Sequence, residues 1–267
     1  MLHWTIDAID WTRLEPQRAR ADAMVYYLVA AGSFIETAAD LYSANLAGHF
    51  SDPALRRWIA ESWEAEELQH GRALRRYVEA VWPELDWQRG YAAFFAEYAP
   101  LCRPEELEKR PTLELAARCM VETGTATFYT ALKRRAEEPV LKALAERIRQ
   151  DEVRHYTRFR EFFGAHRRAE GIGRAGVLRA LYRRAAAAKN EDAYLGFKYA
   201  WRMRYPARRF NAALFECFRK ELREMMSSCY PYRMALQMLL QPLELNRTLV
   251  RVSLPLLERA ARRLILV

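Results

Sequence analysis

Apolar residues recur at intervals of three and four along most of the chain, and almost no segment alternates with a period of two. This spacing is typical of amphipathic helices and predicts an all-α fold. Prolines mark the helix starts, because proline is tolerated in the first turn of a helix but not in its interior. The predicted long helices are residues 16–50, 53–82, 111–138 and 139–164. A short aromatic helix is predicted over 91–98, in the connection between the second and the third.

Three of these helices carry an apolar stripe with a carboxylate at its centre. The stripes are Trp63, Glu67, His70, Leu74 and Tyr77 on the second helix; Leu115, Met120 or Cys119, Glu122, Thr125 or Ala126, and Tyr129 on the third; and Leu144, Ile148, Glu152, His155 and Phe159 on the fourth. Burying an unpaired carboxylate among apolar side chains is very costly, and metal coordination removes that cost. The stripes therefore favour a buried metal site over a set of solvated charged faces.

Two copies of a Glu-x-x-His motif lie in these stripes, and each copy is preceded by a single glutamate about 30 residues upstream. The order of candidate ligands along the chain is Glu36, Glu67, His70, Glu122, Glu152 and His155. Because residues three apart share one face of a helix, each motif presents a carboxylate and an imidazole in the same direction. A four-helix bundle with this inventory holds a pair of iron or manganese ions.

In such a centre the motif glutamates Glu67 and Glu152 bridge the two metal ions, and each following histidine binds one of them. The two single glutamates are terminal ligands. Mixed carboxylate and imidazole ligation suits iron or manganese and leaves coordination positions open for oxygen. One Glu-x-x-His would be a weak signal in a chain this rich in glutamate, but two copies with equally spaced partners are a specific one.

The motif neighbourhoods resemble the ferritin-like superfamily and, within it, the soluble acyl-carrier-protein desaturases. The segment 66–71, Glu-Glu-Leu-Gln-His-Gly, is similar to their Glu-Glu-Asn-Arg-His-Gly, and 151–155, Asp-Glu-Val-Arg-His, to their Asp-Glu-Lys-Arg-His. The resemblance covers roughly residues 20–165. It implies a ferritin-like four-helix bundle with a long crossover between the second and third helices.

The resemblance also implies a role for Thr125, which follows Glu122 by three residues as in those desaturases. Its hydroxyl would lie beside the oxygen-binding face and relay a proton. The alternative is a threonine inside a helix that bonds to its own backbone. Both interpretations stay open from the sequence.

The function that the resemblance implies is an oxygen-activating di-iron oxidoreductase of the desaturase, hydroxylase or N-oxygenase type. Its cofactors would be two iron ions, with manganese or a mixed manganese and iron pair as alternatives, and its co-substrate O2. The organic substrate could be bound to a carrier. Electrons would come from an external donor such as a ferredoxin, since the chain has no flavin or iron–sulfur motif. A homodimer is expected by analogy.

Two other functions stay open at this point. Iron handling, as a ferroxidase, a peroxide-scavenging protein or an iron store, uses similar ligand sets, although storage proteins of this kind are shorter and have no basic extension. A non-enzymatic helical protein that retains a metal for stability would bind it tightly without reacting with oxygen.

The last hundred residues carry the basic character of the chain. Between residues 167 and 209, twelve lysines and arginines stand against three acidic residues, a difference that equals the net charge of +9. The predicted organisation is a di-metal bundle over 1–166 and a basic helical extension over 167–267. The extension could form solvated faces packed on the bundle, a docking surface for an acidic partner or an anionic substrate, or a peripheral membrane contact. Nucleic-acid binding is not expected, because no nucleic-acid motif accompanies the charge.

The four cysteines are scattered without a Cys-x-x-Cys pair, which argues against a disulfide framework, a zinc ribbon or a rubredoxin-type iron site. The first residues have neither the basic nor the apolar region of a signal peptide. No apolar run approaches the length of a membrane span. A cytoplasmic protein is therefore expected.

Overall fold

A computed structural model describes residues 2–187 and 191–265, and helices are the only regular secondary structure in those residues. The prediction of an all-α fold is confirmed, and the helical content is consistent with a ferritin-like bundle followed by further helices. The α-helices are α1 (Pro16–Arg20), α2 (Ala23–Thr37), α3 (Asp40–His49), α4 (Pro53–Trp58), α5 (Glu64–Val81), α6 (Trp87–Tyr98), α7 (Pro111–Arg135), α8 (Pro139–Glu170), α9 (Arg174–Ala187), α10 (Glu191–Arg204), α11 (Ala212–Cys229), α12 (Tyr232–Leu240) and α13 (Arg247–Ile265). Among these helices none is long and apolar enough to cross a membrane.

Proline in the first turn marks where four of the helices begin, as the sequence predicts for α1, α4, α7 and α8, and an acidic residue caps two of them. Asp52 caps α4 by accepting a hydrogen bond from the backbone N–H of Ala54 at 2.8 Å. Glu138 caps α8 by accepting one from the backbone N–H of Leu141 at 2.7 Å, and the Tyr77 hydroxyl donates to the same buried carboxylate at 3.0 Å.

The single helix predicted over 16–50 is three helices, α1, α2 and α3. Asp22 starts α2 by accepting a backbone hydrogen bond in its first turn, at 3.0 Å. At the other end of α2 the Thr37 hydroxyl donates to the backbone carbonyl of Ser33 at 2.6 Å. Such local bonds compete with the helix and often bend it. Glu36 therefore lies in the last turn of α2 and not in the middle of a long helix.

The helix predicted over 53–82 contains a π-helical segment, Ile59–Trp63, between α4 and α5. A π segment shifts the phase of the side chains that follow, and such segments are frequent at functional sites. This one ends directly before α5, whose first two turns carry Glu67 and His70. Two other helices are longer than predicted, since α6 begins at Trp87 and α8 continues to Glu170.

The described residues divide into two compact units. The first unit contains residues 2–107, 136–147 and 191–221, and the second unit contains residues 108–135, 148–187 and 222–265. Residues after 166 thus contribute helices to both units. The division into a bundle over 1–166 and an extension over 167–267 stays a prediction. Lys189, one of the basic residues of the extension, lies outside the described residues.

Close packing of α2 against α5 forms the centre of the first unit, with α10 and α6 beside it. Gly71 of α5 meets the α2 backbone so closely that a Cβ there would stand 2.6 Å from the nitrogen of Thr37. Gly196 of α10 approaches α2 in a similar way, with a Cβ position 2.9 Å from that of Ala31. The glycines allow α2 to be held closely on two sides, and one of the contacts adjoins Glu36.

The helix α7 is the centre of the second unit, and α9 and α12 pack against it. Glu114 of α7 is fully buried and accepts hydrogen bonds from Arg184 of α9 at 3.0 and 3.1 Å. The Tyr156 hydroxyl of α8 donates to the carbonyl of Met238 at 2.6 Å. Arg167 is buried and donates to two backbone carbonyls at 2.9 and 2.6 Å. Part of the basic stretch therefore serves internal packing.

Candidate metal site

The first unit brings Glu36 at the end of α2 together with Glu67 and His70 at the start of α5. One carboxylate oxygen of each glutamate and one ring nitrogen of the histidine lie within 4.8 Å of one another. The distance from Glu36 Oε2 to His70 Nδ1 is 3.8 Å. The three residues are 6%, 5% and 0% exposed. This first triad could hold a metal ion, because carboxylate and imidazole donors in a buried cluster suit iron or manganese.

The N-terminal segment lies against the first triad. Trp4 is buried, and its ring is nearly parallel to that of His70, with 9° between the planes and 6.3 Å between the centroids. The neighbouring His3 places its Nε2 atom 3.8 Å from Oε1 of Glu66, the residue before Glu67. These contacts help to bury the candidate ligands of α5.

The second unit builds an equivalent group from Glu122 of α7 with Glu152 and His155 of α8. One oxygen of each glutamate and one nitrogen of the histidine again lie within 4.8 Å of one another. His155 Nδ1 is 3.7 Å from Glu122 Oε2 and 3.8 Å from Glu152 Oε2. All three residues are buried. This second triad could likewise hold a metal ion.

Thr125 lies beside the second triad. Its hydroxyl is 2.7 Å from Glu152 Oε2, and it is also 3.2 Å from the carbonyl oxygen of Glu122 and 3.4 Å from that of Val121. The carboxylate is the closest and most strongly accepting of the three. The hydroxyl therefore contacts a candidate ligand, and it also lies within hydrogen-bonding distance of carbonyl oxygens of its own helix.

The environment of Glu122 disfavours an isolated negative charge. Burial raises the pKa of Glu122 to about 7, an effect that His155 opposes and Glu152 reinforces. Oε1 of Glu122 accepts no hydrogen bond within the described part of the chain, and Arg118 Nη2 lies 3.8 Å from it. A buried carboxylate is costly unless a cation compensates it. A divalent metal ion fits this position.

The acidic residue that precedes each motif glutamate also contacts a basic side chain. Glu66 lies near His3, and Asp151, which is fully buried, pairs with Arg154. An acid next to a ligand can in this way orient a neighbouring group.

All six predicted ligand residues are buried, and the structure gathers them as two triads; that they bind metal stays a prediction. The apolar stripes are buried as predicted, with Cys119 and Ala126 rather than Met120 and Thr125 completing the stripe on α7.

Three neighbours of the triads were not predicted from the sequence: Trp4, Gly71 and Arg118. Two of them had a local signal, since Gly71 follows His70 directly and Arg118 stands four residues before Glu122. Trp4 had none, because it reaches His70 through tertiary structure alone.

The comparisons with known proteins agree with the motif resemblance over part of the chain. No family model matches the sequence. Over 127 residues the chain is 34% identical to two curated proteins from Mycobacterium tuberculosis, of strains CDC 1551 / Oshkosh and ATCC 25618 / H37Rv, both named "Putative acyl-(acyl-carrier-protein) desaturase DesA2". The matched segment covers 45% of this chain and 43% of each relative. The chain thus spans less than half the length of the curated relatives it matches.

Proposed function

We propose that this chain is an oxygen-dependent oxidoreductase that holds two iron ions, one at each triad, and oxidises an organic substrate. The observation that carries the proposal is the repeated triad, in which two parts of the sequence build the same buried set of two carboxylates and one imidazole. The similarity to proteins named as desaturases supports the oxidoreductase class. The bridging roles that the resemblance implies for Glu67 and Glu152 stay predictions.

Iron or manganese fits the donor set better than the softer metals that prefer thiolates. Cys119 is the one cysteine near the second triad, and burial raises the pKa of its thiol well above the usual range, which disfavours the thiolate that a metal needs. When bound, the two irons would supply the redox chemistry with O2 that amino-acid side chains lack. Manganese, alone or mixed with iron, is the alternative.

The side chains around the triads supply positioning and exclude water. Thr125 holds a proton 2.7 Å from Glu152 Oε2 and fixes the direction of that carboxylate. Arg118 lies 3.8 Å from Glu122 and can orient it. Trp4 covers His70, so that the first triad stays dry. Buried carboxylates that are held in one direction bind a metal with less loss of conformational freedom.

The name of the relatives supports one substrate class. We propose an acyl group carried by an acyl-carrier protein, with an external electron donor such as a ferredoxin. The net charge of +9 favours acidic protein partners of both kinds, because long-range attraction accelerates their encounter. A homodimer stays a prediction by analogy.

The test is an anaerobic titration of the metal-free chain with Fe(II), followed by exposure to O2. We expect two Fe(II) ions per chain and rapid O2 uptake, measured with an oxygen electrode alongside absorbance. His70→Ala and His155→Ala should each remove at least one high-affinity ion. His166→Ala is the matched control, since this residue is on α8 outside the triads and should leave the stoichiometry unchanged.

Three results would count against the proposal. Binding of no iron, or binding that both histidine variants leave intact, would show that the triads are not the metal site. Oxidation of many Fe(II) ions per chain in successive additions would instead indicate a ferroxidase or iron store. Tight binding of two ions without any O2 uptake would indicate a metal held only for stability.

Thr125→Val is expected to weaken iron binding at the second triad about 10- to 100-fold, because a hydroxyl that orients a ligand carboxylate is lost. Competition with a coloured Fe(II) chelator measures the change. Thr125→Ser retains the hydroxyl and should bind nearly as wild type. Thr157→Val on α8 removes a hydroxyl that bonds only to its own helix backbone, at 2.8 Å, and is the matched control. Equal affinities for Thr125→Val and wild type would leave Thr125 as a packing residue.

A further inference from the structure

The helix α13 has apolar side chains on two opposite faces. Leu254 is 4% exposed and packs inward, whereas Leu249, Val252 and Leu256 are 57%, 65% and 64% exposed. Spacings of three and four residues place these three side chains on one face of the helix. This outer stripe, Leu249, Val252 and Leu256, extends about 10 Å along the helix axis at 1.5 Å per residue. Three exposed apolar side chains aligned on one helix favour an interaction surface over isolated surface exposure.

Two arginines, Arg259 and Arg263, continue the line of the outer stripe at spacings of three and four residues. Arg251, Arg259 and Arg263 are exposed, and none of them forms an ion pair within residues 2–187 and 191–265. The acidic residue of α13, Glu258, accepts a hydrogen bond from Arg262 at 2.9 Å. The outward surface of α13 is therefore both apolar and cationic, with its one carboxylate already compensated.

We propose that α13 docks on the surface of an anionic phospholipid bilayer. The outer stripe would enter the headgroup region, and Arg259 and Arg263 would contact lipid phosphates. Helices with an apolar face bordered by arginine lie in the plane of the bilayer interface, and anionic lipids strengthen their binding. This inference is independent of the proposed oxidoreductase function.

The charge pattern distinguishes the bilayer from another copy of the chain. A two-fold contact through α13 would place the arginines of one copy against those of the other, and like charges oppose association. An anionic bilayer satisfies the arginines and the outer stripe together. An acidic protein partner would satisfy the arginines first, so its binding would depend less on the apolar side chains.

The experiment is sedimentation of the full 267-residue chain with vesicles of pure phosphatidylcholine or of phosphatidylcholine mixed with phosphatidylglycerol. We expect binding to the anionic vesicles that weakens as salt is added, and little binding to the neutral ones. Leu249→Ser/Val252→Ser/Leu256→Ser and Arg259→Gln/Arg263→Gln should each lower the partition coefficient at least about tenfold. Circular dichroism and thermal unfolding establish that these exposed changes leave the fold intact.

Two controls match these variants in chemistry but not in place. Arg56→Gln/Arg57→Gln removes two exposed arginines from α4, and Leu178→Ser/Tyr182→Ser removes two exposed apolar side chains from α9. Both controls should bind vesicles as wild type does. The proposal is overturned if anionic vesicles do not bind the chain, if the controls lose as much binding as the α13 variants, or if the serine variant still binds fully. Loss of a dimer in light scattering, without vesicle binding, would assign the outer stripe to a second copy.

Discussion

Replacing Gly71 by alanine is expected to destabilise the protein by about 2 kcal/mol and to weaken iron binding at the first triad. The added Cβ would lie 2.5 Å from Thr37 Oγ1, 2.6 Å from the Thr37 nitrogen and 2.8 Å from the Thr37 Cα. The hydroxyl can rotate away but the backbone cannot, so α2 and α5 must separate. Overpacking typically costs about 1–3 kcal/mol, and we expect a cost near the upper end of that range because backbone atoms must move. The better helix propensity of alanine returns about 1 kcal/mol.

The effect on iron follows from chain connectivity. Gly71 follows His70 directly, and Thr37 follows Glu36. When Gly71 and Thr37 are forced apart, the candidate ligands His70 and Glu36 are therefore displaced as well. A displaced ligand is expected to lower the affinity of the first triad about tenfold or more. Urea unfolding of the metal-free protein and chelator competition measure the two effects separately.

Gly124→Ala is the matched control. This glycine lies on α7, two residues after Glu122, and a Cβ there would meet nothing within 4 Å. Alanine should therefore stabilise the protein by about 0.5–1 kcal/mol through helix propensity and leave iron binding unchanged. If Gly71→Ala proved as stable as Gly124→Ala, the close approach of α2 and α5 would not exist in solution.

Local periodicity was enough to predict that each candidate ligand lies on a helix and, for α5, α7 and α8, which apolar face carries it. Glu67 and His70 are buried together because a spacing of three places them on one side of α5, whatever the helix packs against. Glu152 and His155 follow the same rule on α8. The sequence therefore predicts the pairs well, since each pair depends on a single helix.

Helix interruptions were not predictable in the same way. Thr37 is followed by Ala38 and Ala39, and alanine has the highest helix propensity, so the sequence favours one long helix. α2 nevertheless ends at Thr37. The Thr37 hydroxyl donates a hydrogen bond to the Ser33 carbonyl, and Gly71 packs against the Thr37 backbone. Tertiary packing decided the outcome where propensity alone would not.

The basic extension illustrates a second limit of sequence. Its arginines look equivalent in the sequence. In the structure, however, Arg167 and Arg184 form hydrogen bonds within the second unit, and Arg183 forms an ion pair with Glu108. Charge composition cannot distinguish a structural arginine from one that faces solvent. The structure makes that distinction: these three arginines pair within the protein, whereas Arg259 and Arg263 of α13 are exposed.

Replacing Glu122 by glutamine is expected to change metal-free stability and metal affinity in opposite directions. Burial raises the pKa of Glu122 from its ordinary value of 4.5 to about 7, so the folded state holds its proton more tightly than the unfolded chain does. As pH rises from 4.5 through 7, the unfolded state ionises first and folding becomes less favourable. Above that window the loss is about 3 kcal/mol, at 1.36 kcal/mol per pKa unit. Glutamine keeps the shape without the charge and avoids this loss.

Urea unfolding of the metal-free protein should therefore give similar stabilities for wild type and Glu122→Gln near pH 4.5 and a more stable variant at pH 8. Iron binding should change the other way, because a neutral amide is a far weaker ligand for a hard cation than a carboxylate. Glu161→Gln, on an exposed glutamate of α8 that contacts Arg158 at 3.1 Å, should change neither quantity measurably.

The opposite signs separate a metal ligand from a structural carboxylate. If Glu122 were retained for hydrogen bonding or for its contact with Arg118, its replacement would destabilise the protein. Removing one partner of a buried ion pair has this effect. A glutamate retained for a metal lowers the stability of the metal-free protein, and it stabilises the protein only when the cation is bound. Lower metal-free stability at pH 8 with unchanged iron affinity would assign Glu122 to the fold, whereas higher stability with lost affinity would assign it to the metal.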